Sequence, residues 1–574
     1  MKQLTKTLVG LVLMTCTLGV NAQSRQTQTT ICNPVNLSYR FCLDAPSRRE
    51  AADPTMVTFK GEYYLFASKS GGYFHSADLI NWDLITTNDL PIEDYAPTVV
   101  EMKGELYFMA SKNDPPLKIY KTADPKSGKW EVANAAFPIG MTDPDLFVDD
   151  DCRLYFYYGC SNVNPIYAVE LDTKTLNTIG KPVAVISSDK KNYGWERSGD
   201  YNEVGNNPWI EGAWMTKHNS KYYLQYAGPG TEFKSYGDGV YVSDKPLGPF
   251  KLATHNPFSY KPEGFIAGAG HSSTFQDKYG NYWHIATMSI SVKHMFERRL
   301  GLFPTFFDKD GEMVTYTGFG DFPFKMPTQK ISGPEELFPN WMLLSYNKPV
   351  EVSSELADHP KKFAADEEIR TFWSAKTGNK GEWISMDLQN ESTVNAIQVN
   401  YAENETKIRG RQPDIYYQYL LEYSIDGKTW KTLANKTQNK SDVPHDYIEL
   451  TKPVKARYIK LTNYHMADGT FALAGLRVFG NGGGKAPSEV KSLSLKRSGT
   501  DRCVVDLNWP ELPGAVGYNI RYGTSKDKLY QNYQVLGTEQ LTIRSLNAQQ
   551  KYYFTIDAFN ENGITKGKSI IELN

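Results

Sequence analysis

The sequence predicts an all-β protein, a five-bladed β-propeller followed by a β jelly roll and a small β-sandwich, and three observations carry that reading. The 574 residues include 37 Tyr, 27 Phe and 11 Trp with 45 Gly and 31 Pro, a composition that favours strands and turns over helices. Between Glu50 and Ser289 one short pattern is written five times, the mark of a repeat architecture. Two later stretches carry strand patterns of different wording, and at about 100 to 200 residues per domain a chain of this length needs several cores.

The first 22 residues carry Lys2 and Lys6, an apolar run from Leu8 to Val20, and Val20-Asn21-Ala22 before Gln23, which reads as a cleaved export signal. Periplasmic or secreted localisation follows. Lipidation at Cys16 is the weaker alternative, because Met14 and Thr15 fit the required cleavage site badly. No later segment reaches about 18 apolar residues, so no membrane span is expected. The net charge of −2 is too balanced to hold a phosphate backbone, which excludes a nucleic-acid partner. Without Cys16 the chain has five cysteines, an odd number; Cys32 with Cys42 is the one pair left open, and buried thiols are expected for the others.

The five copies open at Asp53, Ala96, Asp143, Glu211 and His271. Each is a short apolar strand, a tight turn and an aromatic-rich strand, as in Asp53-Pro54-Thr55-Met56-Val57 followed by Lys60-Gly61 and Glu62-Tyr63-Tyr64-Leu65-Phe66. The first two copies continue into further strands closed by Trp82 and Trp130, and four antiparallel strands make a propeller blade. The propeller is assigned to 33–325, a Pro-containing linker to Met326 through Pro339, the jelly roll to 341–480 and the sandwich to 487–574. Gly480 to Gly484 reads as a flexible hinge, so the propeller is expected to fold without the rest.

In a propeller the innermost strands run along a central axis, so the five openers converge on one mouth. Any one Asp before Pro is ordinarily a turn initiator. Three carboxylates and a histidine around one axis are different, because crowded acids repel and are desolvated. Paired carboxylates across a sugar-sized cavity are the equipment of glycoside hydrolysis. The run Asp149-Asp150-Asp151 occupies a hairpin turn and reads as solvated, not as a metal site.

The openers with their flanks, Ala52-Asp53-Pro54-Thr55, Thr142-Asp143-Pro144-Asp145 and Trp209-Ile210-Glu211-Gly212-Ala213-Trp214, resemble glycoside hydrolase family 43. The resemblance implies a five-bladed propeller with Asp53 as general base, Asp143 as the acid that orients and tunes its partner, and Glu211 as general acid. It also implies His271 at the axis, beneath the sugar, where an ion or water can sit; no cofactor is required, and a calcium ion near His271 is the one cofactor it admits. Ile210 and Trp214 beside Glu211 are apolar company of the kind that keeps an acid protonated.

Trp195 and Trp214 are the expected sugar platform, with Tyr73 and Phe74 further candidates; Arg298 and Arg299 resemble the family's substrate-contacting arginine. The middle domain resembles the discoidin, or factor V/VIII C-type, jelly roll through Thr371-Phe372-Trp373 and Trp383-Ile384-Ser385-Met386-Asp387-Leu388, which implies a carbohydrate-binding module. Gly475 replaces the acid that often precedes the last strand of that domain, which puts a calcium site near Asp366 in doubt. The last domain is similar to fibronectin type III. The expectation is an exported inverting glycosidase acting on oligosaccharide or plant-type polysaccharide, α-L-arabinofuranosidase first, with β-D-xylosidase or galactosidase as alternatives and a non-catalytic carbohydrate-binding propeller as the rival.

Overall fold

The computed structural model describes residues 28–112, 115–140 and 143–574. The export segment with Cys16, and Thr142, lie outside the described residues.

Five four-stranded antiparallel sheets follow one another along the chain. They run from Thr55–Phe59 to Asp83–Ile85, from Tyr95–Met102 to Glu131–Phe137, from Asp145–Val148 to Thr178–Ile186, from Glu211–His218 to Lys251–Leu252, and from Ala267–Gln276 to Met313–Thr315. Tight turns start the first two: Lys60 with Gly61, and Lys103 with Gly104, all have positive φ, the geometry of a two-residue hairpin turn. The aromatic richness has a geometric cause. On the strand Glu62–Phe66, Tyr63 and Leu65 face Phe275 and Trp283 of the fifth sheet, while Tyr64 and Phe66 face Phe108 and Trp130 of the second. Successive side chains point to opposite faces, and here both faces are interior.

The inner strands are tied in a circle by one recurring position. Thr55 Oγ1 donates to the Pro97 carbonyl (2.7 Å), and Thr98 Oγ1 accepts from Leu146 N–H (3.2 Å). Asp145 Oδ2 accepts from Met215 N–H (2.8 Å), Trp214 Nε1 donates to the Thr274 carbonyl (3.0 Å), and Ser273 Oγ accepts from Met56 N–H (2.9 Å). The ring therefore closes between the fifth and first sheets through side chains and packing, with each sheet built from consecutive strands. Arg298–Phe307 and Met313–Thr315 are the last strands of the fifth sheet, inside the stretch assigned to the propeller.

The jelly roll is one eight-stranded network dominated by the antiparallel pair Trp383–Tyr401 and His445–His465. The last domain packs a three-stranded sheet against a five-stranded one around Trp509, Tyr518 and Phe554.

These parts are not strung on loose linkers. Arg49, buried in the propeller, reaches into the jelly roll, where both Asp442 oxygens (2.7 and 2.8 Å), Tyr417 Oη (3.0 Å) and Glu403 accept from its guanidinium. In return Arg477 of the jelly roll donates to the Asp321 carbonyl (2.7 Å) and pairs with Glu367. Gly475 is where Phe265 of the propeller packs, and a Cβ there would come within 2.9 Å of that ring. The run read as a hinge is bonded to the sandwich, with Gly482 N–H on the Glu561 carbonyl and Gly484 N–H on Asn562 Oδ1, each at 2.8 Å. The linker is packed as well: Met326 N–H donates to the Thr29 carbonyl (2.9 Å), and Leu337 is buried against the first and fifth sheets.

A truncated protein ending at Gln329 should consequently be insoluble or inactive even on a small soluble substrate. It would strip the buried Arg49 of its anions, a loss that costs about 3–5 kcal/mol for a broken buried pair. Soluble expression and turnover of that fragment measure this directly. Full retention of both would show that the buried contacts are dispensable.

All five described cysteines are thiols. Cys32 points at the Asp321 carbonyl (3.2 Å) and Cys42 at Glu50 Oε2 (3.3 Å), so the pairing left open is not made. Cys152 is exposed, not buried, because it sits at φ 66° in the turn after the acidic run. That run is only partly solvated: Asp149 is buried, paired with Lys217 and accepting from Tyr222 Oη (2.6 Å).

Candidate active site

Each inner strand has a left-handed residue at or near its start, or within it: Asp53 (φ 53°), Ala96 (42°), Asp143 (55°), Gly212 (60°) and His271 (38°). That conformation costs free energy at a non-glycine residue, so it must be held from outside. In four of the five a neighbouring side chain accepts the kinked residue's N–H: Thr287 for Asp53 (2.8 Å), Ser68 for Ala96 (2.7 Å), Ser111 for Asp143 (3.0 Å) and Asp238 for His271 (2.9 Å). The kink turns the side chain toward the axis and starts the strand anew.

The fourth copy departs from the sequence register. Gly212, not Glu211, occupies the kinked position, and a Cβ there would lie 2.6 Å from the His271 ring. Glu211 stands one residue earlier, ahead of the irregularity in strand pairing between Glu211 and Trp214. Its longer side chain still reaches the cluster.

The acids converge. His271 Nδ1 lies 3.3 Å from Asp53 Oδ1 and 3.7 Å from Asp143 Oδ2. The ligand atoms of Asp143, Cys160 and Glu211 all lie within 4.8 Å of one another. Asp53 and Asp143 are buried and Glu211 is half-buried.

Their environments differ in the way acid–base work needs. Asp53 accepts from Ser68 Oγ (2.5 Å) and Arg298 Nη1 (3.0 Å). Burial alone would raise its carboxyl, but the Arg298 guanidinium, His271 and the Ser68 hydroxyl hold it below the usual carboxylate range. It is therefore ionised at neutral pH. Asp143 is the opposite case: burial pushes it up to about 7, with Glu211 and Asp53 adding repulsion and His271 opposing. The same two aspartates, working against burial, raise His271 above the usual histidine value. Glu211 accepts from Tyr236 Oη at Oε1 (2.5 Å) and from the Cys160 thiol at Oε2 (3.0 Å).

Arg298 is at the site and Arg299 is not. Arg298 holds Asp53, Glu50 (2.6 Å) and Thr231 (3.1 Å). Arg299 turns away, donating its Nε–H to His445 Nε2 of the jelly roll (2.8 Å). His445 Nδ1 must then donate to Asn400 Oδ1 (2.9 Å), which makes the ring neutral. The expected platform is corrected more fully. Trp195 is wholly buried against Tyr226 (5.5 Å between ring centroids), because its segment is pinned to the sandwich by Gly194 N–H on the Leu546 carbonyl (2.9 Å). Trp214 is a link of the ring, and Tyr73 and Phe74 are core.

Half-buried aromatic faces do flank the site elsewhere. Tyr95 and Phe296 lie 5.6 Å apart, with the Arg298 guanidinium 6.0 and 4.8 Å from their centroids. Tyr95 precedes the opener Ala96 and Phe296 stands two residues before Arg298, the nearest thing to a signal for either.

His271 Nδ1 is spent on Asp53 and Asp143, two carboxylates against the six to eight oxygen ligands a calcium ion takes, so we derive no step through an ion. In the jelly roll, Asp366 is engaged by Thr371 Oγ1 (2.6 Å) and Glu368 N–H (3.2 Å).

A ring of four-stranded sheets that gathers an ionised aspartate, a second acid titrating near neutrality and a glutamate around one histidine holds the groups that acid–base cleavage of a glycosidic bond requires. Residues 47–313 match the glycosyl hydrolases family 43 and residues 349–474 the F5/8 type C domain, so the chain carries a family 43 catalytic domain followed by a discoidin-like domain.

Among characterised proteins, it is 27% identical over 141 residues to the beta-D-galactofuranosidase xynD of Aspergillus niger, covering 25% of this chain and 35% of that protein. It is 26% identical over 204 residues to the xylosidase/arabinosidase 43A of Humicola insolens, covering 30% of this chain and 58% of that one. The chain thus spans about a third and somewhat over half of these relatives. A thermostable family-43 glycoside hydrolase of known structure is 22% identical, covers 53% of this chain and 98% of its own, and superposes with a TM-score of 0.41.

Proposed function

We propose that the protein is an exported, inverting glycoside hydrolase that removes non-reducing-end sugars from plant-type polysaccharide, with α-L-arabinofuranosidase as the leading activity. The observation that carries this is the division of labour at the axis: Asp53 is kept ionised by Arg298 and Ser68, while Asp143 beside Glu211 titrates near 7. An ionised carboxylate can take a proton from water as that water attacks the anomeric carbon; Glu211 delivers a proton to the departing oxygen, and Asp143 beside it holds a proton of its own up to about pH 7. Tyr95 and Phe296 take the role of sugar platform, with Arg298 between them. The discoidin-like domain packs against the propeller as structure, and any carbohydrate binding by it is additional to that. The last domain's two-sheet sandwich supports the fibronectin type III likeness.

The second reading is β-D-xylosidase or β-D-galactofuranosidase action, favoured by the names of the two relatives. Nitrophenyl α-L-arabinofuranoside, β-D-xyloside and β-D-galactofuranoside assayed on the full-length protein separate these, and the anomer first released, read by proton NMR, tests inversion. Turnover of the arabinofuranoside well above the other two is the expected result. Silence on all three, with binding of oligosaccharide retained, would return the propeller to a lectin role.

A further inference from the structure

Resting on the glycosidase reading above, we infer that Cys160 is a positioning residue for acid catalysis, whose thiol proton holds the Glu211 carboxylate in place beside Asp143. The Sγ lies 3.0 Å from Glu211 Oε2, and the ligand atoms of Asp143, Cys160 and Glu211 share a space 4.8 Å across. Backbone fixes both partners at once. Ser161 and Ile210 exchange two N–H to carbonyl bonds of 3.1 Å, which ties the residue after Cys160 to the residue before Glu211.

The two oxygens of Glu211 thus have one donor each, Tyr236 on Oε1 and the thiol on Oε2. For Glu211 to protonate a leaving group, one donor must yield. The Tyr236 contact is a short O–H bond from a fully buried ring, whereas a thiol is a weak donor and a weak acceptor. Oε2 is therefore the oxygen that is cheaply released to the substrate. A serine in the same place would hold it more tightly, and an alanine would leave it free to rotate. Burial, followed by the charges of Asp143 and Glu211, keeps the thiol protonated, so its S–H is there to donate.

The other groups facing Glu211 are Asp143 beside the third sheet, His271 from the fifth, and Tyr236 with Glu232 from the loop ahead of Gly237–Ser243, with Asp53 and Arg298 beyond them in the same cluster. All persist when only Cys160 is changed, so a shift in the pH profile reports on the thiol.

The test compares kcat/KM against pH for wild type, Cys160→Ala and Cys160→Ser. The thiol's hydrogen bond favours the ionised form of the carboxylate it meets, and it holds Asp143 down against burial; without it the Asp143–Glu211 pair keeps its proton to higher pH. The alkaline limb should move up by about half a unit in the alanine variant and down by a similar amount in the serine variant, with KM little changed. A uniform fall in rate, with both limbs in place, would make Cys160 mere packing and overturn the inference. A second measurement does not depend on turnover. Site-resolved alkylation of Cys160 by iodoacetamide, read by peptide mass spectrometry to separate it from the exposed Cys152, should be several-fold faster in Glu211→Gln than in wild type, because the carboxylate no longer opposes thiolate formation. Equal rates would show that the contact is not made. A wild type inactive on every glycoside but showing the alkylation difference would sink the function and leave the contact standing.

Discussion

Asp53→Asn should lose activity on every substrate by about 10²- to 10⁴-fold, since no other base is placed to activate the attacking water. The fold should survive. Asn tolerates the left-handed conformation that Asp53 adopts, and Arg298 keeps Glu50 and Thr231 as partners. Added azide should restore turnover by attacking the anomeric carbon directly, needing no deprotonation, and should yield a glycosyl azide of inverted configuration. Circular dichroism and product NMR check the two halves of this result. Near-normal hydrolysis by the variant would remove Asp53 from the role of base.

Glu211→Gln should be nearly as damaging, but selectively so. Gln keeps the size of Glu and cannot donate the proton, so glycosides with poor leaving groups should lose about 10²- to 10⁴-fold while activated nitrophenyl glycosides lose much less. The wild-type alkaline limb should fall near pH 7, where Asp143 releases its proton and the pair can no longer hold one. That limb should vanish in the variant on nitrophenyl substrates, for which protonation is not needed. Equal losses on both substrate types would mean that Glu211 is not the acid.

Asp53, Asp143 and His271 were legible because the kink that aims them is written locally, twice as Asp-Pro, at the start of a recurring strand. Glu211 was legible as a residue but not in register, since the glycine that takes the kink in its copy is explained by the His271 ring lying against it, a contact between positions 59 residues apart. The holders of the acids were partly visible: Ala67-Ser68 and Ala110-Ser111 end the second strands of the first two copies alike, and both serines accept the next kink's N–H. Cys160 and Tyr236 gave no comparable signal, because their roles depend on how the third and fourth sheets meet. Trp195 misled for a similar reason. Its segment looks like a loop at the mouth until the sandwich, some 350 residues further on, is found clamped to it. The Gly-rich run after the jelly roll looked flexible by composition, yet its amides are bonded to the neighbouring domain.

The side-chain closure between the fifth and first sheets gives the molecule a seam, and the seam runs through Asp53, the proposed base. A hoop whose ends were joined by a shared strand would fail there last; here the hydroxyls of Ser273 and Thr287, the packing around Phe275 and the buried pairing of Arg298 with Asp53 and Glu50 do the joining, and the neutral hydrogen bonds among these are worth about 1 kcal/mol each. Thr287 holds the backbone of Asp53 itself. The first slight parting of the hoop on warming therefore takes the base out of aim while the sheets remain intact, so thermal inactivation should run ahead of thermal unfolding, and the enzyme's working limit is set by one joint and not by the stability of its cores.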